Sequence, residues 1–219
     1  MAGTKCIAVF GGSGKTGQEL ISAALKKGFD VRGLFRPGSE PQGMLSGLEV
    51  IIGQVTESAD IRRTLEGTSG AIVVFGPRLG RRNHPQAFCA EATAKIVTEM
   101  KALGIHRLIV QTGAMAGGDT PNWSRGVRML VHSYRRRYPE IDADRDAQEV
   151  ITKKSGLDWT LAKPFRISGA RGKNKEKVRV AQDLHIGAFT SIRRADLVEF
   201  LVDEFVPGVF HKQAVYVVN

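Results

Sequence analysis

Short apolar runs of strand length recur along the chain, at residues 6–10, 31–35, 50–52, 71–75, 108–110 and 159–162. Between them apolar positions recur with helical spacing. Leu20, Ile21, Ala24 and Leu25 precede Gly28, and Ala92, Ile96, Met100 and Leu103 precede Gly104. Each glycine suits the left-handed residue that ends a helix. A further helix is predicted over 142–154, with Ala143, Ala147, Val150 and Ile151 on its apolar face and Lys153 and Lys154 late, as the helix dipole favours. A helix over 195–205 precedes Pro207, Gly208 and a closing strand at 214–218. Strands alternating with helices of this length predict an α/β fold: a doubly wound, mainly parallel sheet with helices on both faces.

The 219 residues fit one domain, large enough to bury about 70% of its unfolded surface. Composition is ordinary for a globular protein, with 42% hydrophobic and 25% charged residues, which excludes bulk disorder. Cys6 and Cys89 are too few for a disulfide scaffold and fit a reducing compartment. The run after Lys5 is too short for a signal peptide, and no stretch approaches the length of a membrane span, so a cytoplasmic protein is expected. The formal charge of +10 points to an anionic partner without naming it.

The most informative stretch is Cys6-Ile-Ala-Val-Phe-Gly11-Gly-Ser-Gly14-Lys-Thr-Gly17, which runs directly into a helical pattern. Strand, glycine turn and helix in that order make a dinucleotide-binding turn. Gly11, Gly14 and Gly17 allow a tight turn, close approach of a pyrophosphate, and close packing of helix on strand, with Ser13, Lys15 and Thr16 beside the phosphates. Gly14-Lys15-Thr16 also imitates the end of a nucleoside triphosphate loop, but that pattern requires glycine at position 9, where Val9 stands inside the strand.

An acidic residue at the end of the second strand would bond the ribose of NAD. Here that end reads Phe35-Arg36-Pro37-Gly38-Ser39, and Asp30 lies at the opposite end. Arg36, with Ser39 and Lys15 near it, suits a 2′-phosphate, which predicts NADP(H) as cofactor.

These residues resemble the atypical short-chain dehydrogenase/reductase superfamily, in its small NmrA-like branch that includes biliverdin reductase B, a flavin reductase. The resemblance covers most of the chain and rests on Phe10-Gly-Gly-Ser-Gly-Lys-Thr-Gly17, Gly53-Gln-Val55, Ser155-Gly-Leu-Asp-Trp-Thr160 ahead of Lys163-Pro164, and Ile192-Arg-Arg-Ala-Asp-Leu197. It implies a single Rossmann-type NAD(P)-binding domain over 1–219, with the nicotinamide at the carboxyl ends of the strands. By matching positions, Gln54 and Val55 would flank the adenine, while Gly76, Pro77 and Arg78 would run beside the diphosphate and ribose. Thr112 and Gly113 would lie near the nicotinamide, and Lys163, Pro164 and Phe165 would close its other side. Two positions depart from the branch: Gln54 stands where Asp is frequent, and Gly113 where a small hydroxyl residue is common. The Tyr-x-x-x-Lys pair of larger reductases is also missing, since none of Tyr134, Tyr138 and Tyr216 has Lys four places on.

A substrate pocket is expected from the loops at about 113–126, a glycine-rich lid, and 164–172, with Met115, Trp123, Phe165 and Arg166 as substrate residues. Arg166 and His132 are the candidates for catalytic roles, although a surface salt bridge and a solvated histidine are competing explanations. His84, His106, His185 and His211 show no metal-ligand spacing, so no metal is expected. The basic clusters 135–137 and 173–179 belong to no recognised nucleic-acid module and read as solvated faces or as steering for an acidic substrate. The sequence thus points to an NADP(H)-dependent oxidoreductase acting on a small aromatic or anionic molecule, flavin-, quinone- or enone-like. The alternatives are a non-catalytic NADP(H)-sensing regulator with a protein partner, and an isomerase or cyclase on the same fold.

Overall fold

The computed structural model describes residues 5–43, 45–77, 87–118, 122–169, 177–206 and 208–219. The elements follow in chain order as β1 (Cys6–Phe10), α1 (Lys15–Lys26), β2 (Asp30–Phe35), β3 (Leu48–Ile52), α2 (Ser58–Leu65), β4 (Gly70–Val73), α3 (Cys89–Ala102) and β5 (Arg107–Gln111). Then come α4 (Arg125–Arg137), α5 (Pro139–Lys153), β6 (Asp158–Pro164), β7 (Ile167–Ser168), β8 (Arg179–Ala181), β9 (Ile192–Arg193), α6 (Arg194–Phe205) and β10 (Gln213–Val218). One sheet has the order β3-β2-β1-β4-β5-β6-β10-β8, parallel throughout except for β8 against β10, and β7 pairs with β9 outside it.

Both faces of the sheet are covered, as the unbroken apolar runs require. In β1, Ile7 and Val9 enter the cluster that α1 and α6 cover, whereas Ala8 and Phe10 enter the cluster under α2 and α3. Full burial of each such large side chain contributes about 1.5–3 kcal/mol. A third cluster, of Trp123, Val127, Val131, Ile186, Tyr216 and Val218, lies under α4.

The predicted helix stops hold. Gly28 and Gly104 take φ of +81° and +68°. The N–H of Gly28 donates to the Leu25 carbonyl and that of Phe29 to Ala24, and Gly104 and Ile105 repeat the pattern on Lys101 and Met100. The strand predicted over 71–75 is shorter. Val74 makes the last ladder bond, to the Phe10 carbonyl, after which Val74 and Phe75 leave the sheet and floor a cleft.

The predicted face of α5 needs correction. Val150 and Ala143 are exposed, and Ala147 and Ile151 are only half-buried. The buried residues are Ile141, Asp144, Gln148, Glu149 and Thr152. This mostly polar face is stable because partners satisfy it: Asp144 accepts from the N–H groups of Cys89 and Ala90 at the start of α3, and Gln148 Nε2 donates to Thr93 Oγ1 at 2.9 Å.

Candidate functional site

The strand order reverses at β1, which has β2 on one side and β4 on the other. The loops leaving β1 and β4 therefore diverge, and a crevice opens at the carboxyl edge. Two cavities fill it and adjoin through Val74, Phe75 and Gly76. One, of about 340 Å³, lies between the Gly11–Gly14 turn and the ends of β2 and β3. The other, of about 360 Å³, lies between residues 74–77, the turn after β5, and α4 and α5.

The glycine turn is built as the spacing predicts. Gly11 has φ of +98°, and a Cβ there would stand 2.7 Å from the Phe75 nitrogen. A Cβ at Gly17 would come within 2.2 Å of the Gly11 oxygen, so α1 can approach the turn only without a side chain at this position. At Gly14 the nearest atom would be 3.4 Å away, which leaves that side open to the cleft. Gly14 is also the N-cap of α1; it offers no side-chain cap, and the first turn contains no acid. The first backbone N–H groups of the helix are thus available to an anion. Ser13 lines the cleft here, Lys15 is exposed and Thr16 half-buried.

At the other end of the first cavity, Arg36, Gln54 and Val55 all line the wall, together with Leu34, Thr56 and Phe88. Ser39 does not reach it; its hydroxyl donates to the Arg36 carbonyl at 2.8 Å and closes the turn after β2. Gln54 is held by its backbone, whose N–H donates to Asp60 Oδ2 at 2.9 Å. That bond, with Arg63 at 2.6 Å from the other carboxylate oxygen, holds the Asp60 pKa below the usual carboxylate range.

The second cavity is lined by Gly76, Pro77, Thr112, Gly113 and Met115. It also holds Gln111, Tyr134, Asp142 and Arg145, which periodicity does not single out because they converge from β5, α4 and α5. Arg145 bridges the two strand ends, donating to the carbonyls of Phe75 at 3.3 Å and Gln111 at 3.1 Å and to Gln148 Oε1 at 2.7 Å. Gly113 leaves open space: a Cβ there would meet only the Pro164 oxygen, at 3.9 Å.

The first part of the expected lid is a fixed wall. Ala114 N donates to the Pro164 carbonyl, Arg135 holds the Met115 carbonyl, Lys163 holds the Ala116 carbonyl and Asp146 accepts from Gly117 N. Residues 119–121 lie outside the described part. Thr112 Oγ1 and Lys163 Nζ turn inward to buried Glu149, so Lys163 lines neither cavity.

Other expected site residues are placed elsewhere. Trp123 is 3% exposed in the third hydrophobic cluster, with the Phe165 ring 6.0 Å away, and lines neither cavity. Arg166 is exposed and donates to the Ala188 carbonyl, and His132 is exposed on α4. Arg78, His84, Lys173, Lys175 and Pro207 lie outside the described residues. Of the basic cluster 135–137, Arg135 is structural, 3.3 Å from Asp142, and Arg137 lies over the Tyr138 ring.

The groove has the chemistry that a dinucleotide needs: an uncapped helix start, open space over Gly14, and Arg36 at the end of β2. Gln111, which lines the far cavity, also carries a buried Oε1 with no hydrogen-bond partner among the described residues. Among those residues no group of three or more His, Cys, Asp or Glu could hold a metal ion, and no helix is long and apolar enough to cross a membrane.

Solved structures share this architecture. An anaerobillin reductase, ChuY, from Escherichia coli matches with a TM-score of 0.76 at 17% identity, over 98% of this chain and 97% of that one. A short-chain dehydrogenase/reductase from Veillonella parvula, in complex with NADP, matches with a TM-score of 0.74 at 16% identity, over 98% and 94%. The oxidoreductase ylbE from Lactococcus lactis matches with a TM-score of 0.76 at 12% identity, over 98% and 90%. At these identities the likeness is one of fold. Residues 11–205, from the first glycine of the turn to the end of α6, match the model of the NAD(P)H-binding family, and the chain belongs to that family.

Proposed function

We propose that the protein is an NADP(H)-dependent oxidoreductase that reduces a small aromatic or anionic acceptor, flavin-, quinone- or enone-like. The observation that carries this is a pair of adjoining cavities. The first runs from Arg36 past the bare start of α1 to residues 74–76, and the second extends from there to the Thr112–Gly113 turn. Arg36 stands where a ribose-binding acid would select NAD, and its guanidinium suits a 2′-phosphate. The bound dinucleotide would supply the hydride, and the chain would supply placement and electrostatics. Gly14 and the first N–H groups of α1 would hold the diphosphate, Gln54 and Val55 would flank the adenine, and Gly113 would leave room at the nicotinamide. The acceptor would occupy the second cavity, against Met115 and Tyr134, within one domain spanning 1–219.

Among the structural neighbours, the anaerobillin reductase and the short-chain dehydrogenase/reductase in complex with NADP support this reading. Its test is oxidation of NADPH, followed by dihydronicotinamide absorbance, across a panel of flavins, quinones and enones, with binding measured separately. Tight NADPH binding without oxidation by any acceptor would overturn the reductase reading and leave a dinucleotide-binding protein.

A further inference from the structure

A hydride delivered to a conjugated acceptor must be matched by a proton, and Tyr134 puts a phenol in the cavity assigned to the acceptor. We propose that Tyr134 of α4 is the proton donor of the reduction. The inference rests on the oxidoreductase reading above.

Three observations support it. Tyr134 lines the second cavity together with Thr112, Gly113 and Met115, so its side chain borders the space beyond the nicotinamide position. Its hydroxyl makes no hydrogen bond to any described residue, whereas the neighbouring Thr112 hydroxyl and Arg145 guanidinium are committed. Thr112 Oγ1 is bound to Glu149, and Arg145 to Phe75, Gln111 and Gln148. The ring is also fixed, by Tyr138 at 5.4 Å and by the helix whose next residue, Arg135, is fastened to the Met115 carbonyl.

The charged and titratable groups facing the phenol are Asp142 and Arg145 of α5, and Tyr138 at the junction of the two helices. Burial and the Asp142 carboxylate raise the Tyr134 pKa, while Arg145 opposes them. The phenol therefore stays protonated through neutral pH, as a donor must.

The balance is simple. The electrophilic acceptor atom, the β-carbon of an enone or N5 of a flavin such as FMN, gains a hydride, which carries two electrons. The Tyr134 O–H bond breaks and its proton goes to the oxygen or nitrogen conjugated to that atom. The phenolate then regains a proton from water entering the open cavity. Tyr134 lies on α4 rather than in a Tyr-x-x-x-Lys pair, since the residue four places on is Tyr138.

The test compares the parent protein with Tyr134→Phe, and with Tyr138→Phe as a control, using NADPH and FMN. The expected result is a kcat about 100-fold lower in Tyr134→Phe, with NADPH Kd and melting temperature unchanged. The parent should lose activity as pH rises through the phenol's raised pKa, and that alkaline limb should vanish in Tyr134→Phe but remain in Tyr138→Phe. Independently of turnover, ultraviolet titration of the cofactor-free protein should show a phenol ionisation that FMN shifts and that is missing from Tyr134→Phe. A Tyr134→Phe kcat within about threefold of the parent, with the limb retained, would overturn the inference alone. Failure of the parent to oxidise NADPH with any acceptor would overturn both readings, because there would be no reduction to balance.

Discussion

Lys163 Nζ lies 3.0 Å from Glu149 Oε1, with the two side chains 3% and 0% exposed. The pair joins the end of β6 to the middle of α5. Thr112 Oγ1 donates to the same carboxylate, and Lys163 also donates to the Ala116 carbonyl. One buried charge pair thus ties β5, β6, α5 and the wall of the second cavity together. Gly117 crosses it with φ of +80°, where a Cβ would stand 2.3 Å from Glu149 Oε2.

Removing one partner leaves the other buried with a poorer set of partners: Glu149 would keep only Thr112 Oγ1 and the surface residue Lys153, 3.3 Å away, and Lys163 would keep only a carbonyl to accept its hydrogen bond. Lys163→Met should cost about 3–5 kcal/mol in urea unfolding, and Glu149→Leu a similar amount. The double variant Lys163→Met with Glu149→Leu should recover much of the loss. Additive single losses in the double variant would show that the pair is not coupled.

The glycines of the turn should separate folding from binding. Gly17→Ala places a methyl group 2.2 Å from the Gly11 oxygen and should destabilise the protein by about 1–3 kcal/mol. Gly14→Ala meets nothing closer than 3.4 Å and should keep its melting temperature, while narrowing the space over the start of α1. Its NADPH Kd should rise about tenfold or more, a loss of about 1.4 kcal/mol. Unchanged NADPH affinity would remove Gly14 from the phosphate site.

Arg36 should decide between the two dinucleotides. Arg36→Ala should weaken NADPH by about 1.5–3 kcal/mol, roughly 10- to 150-fold, and leave NADH nearly untouched. Isothermal titration with both cofactors checks this. Equal losses for both would place Arg36 away from the 2′-phosphate.

Gly113→Ser should be tolerated, because a Cβ there meets only the Pro164 oxygen at 3.9 Å and the backbone is not left-handed. Stability should change by no more than about 0.5 kcal/mol. The hydroxyl would enter the second cavity beside the nicotinamide position, so the KM for the acceptor should move more than the NADPH Kd.

Asp60 should make the adenine end of the groove sensitive to acid. Its folded pKa is lowered, first by the Gln54 N–H and then by Arg63. The contribution is therefore complete above the ordinary carboxylate pKa and is lost as pH falls through it towards the lowered folded value. Urea unfolding of Asp60→Asn should show a shallower loss of stability on acidification than the parent. Parallel curves would mean that Asp60 does not contribute.

The sequence by itself determined what rests on local spacing. The apolar runs located the central strands, Gly28 and Gly104 marked helix ends, and the order of strand, glycines and helix specified the turn at Gly11–Gly17. Arg36 at the end of β2 was legible for the same reason, since a strand end is defined by its neighbours in the chain. Tertiary structure alone decided the second cavity and the buried face of α5. Periodicity assigns Ala143, Ala147, Val150 and Ile151 to the core, but Asp144, Gln148 and Glu149 are inside because α3, β5 and β6 bring them donors and a countercharge. Whether a polar side chain can be buried depends on partners that folding supplies from distant parts of the chain, and its own hydrophobicity carries no record of them.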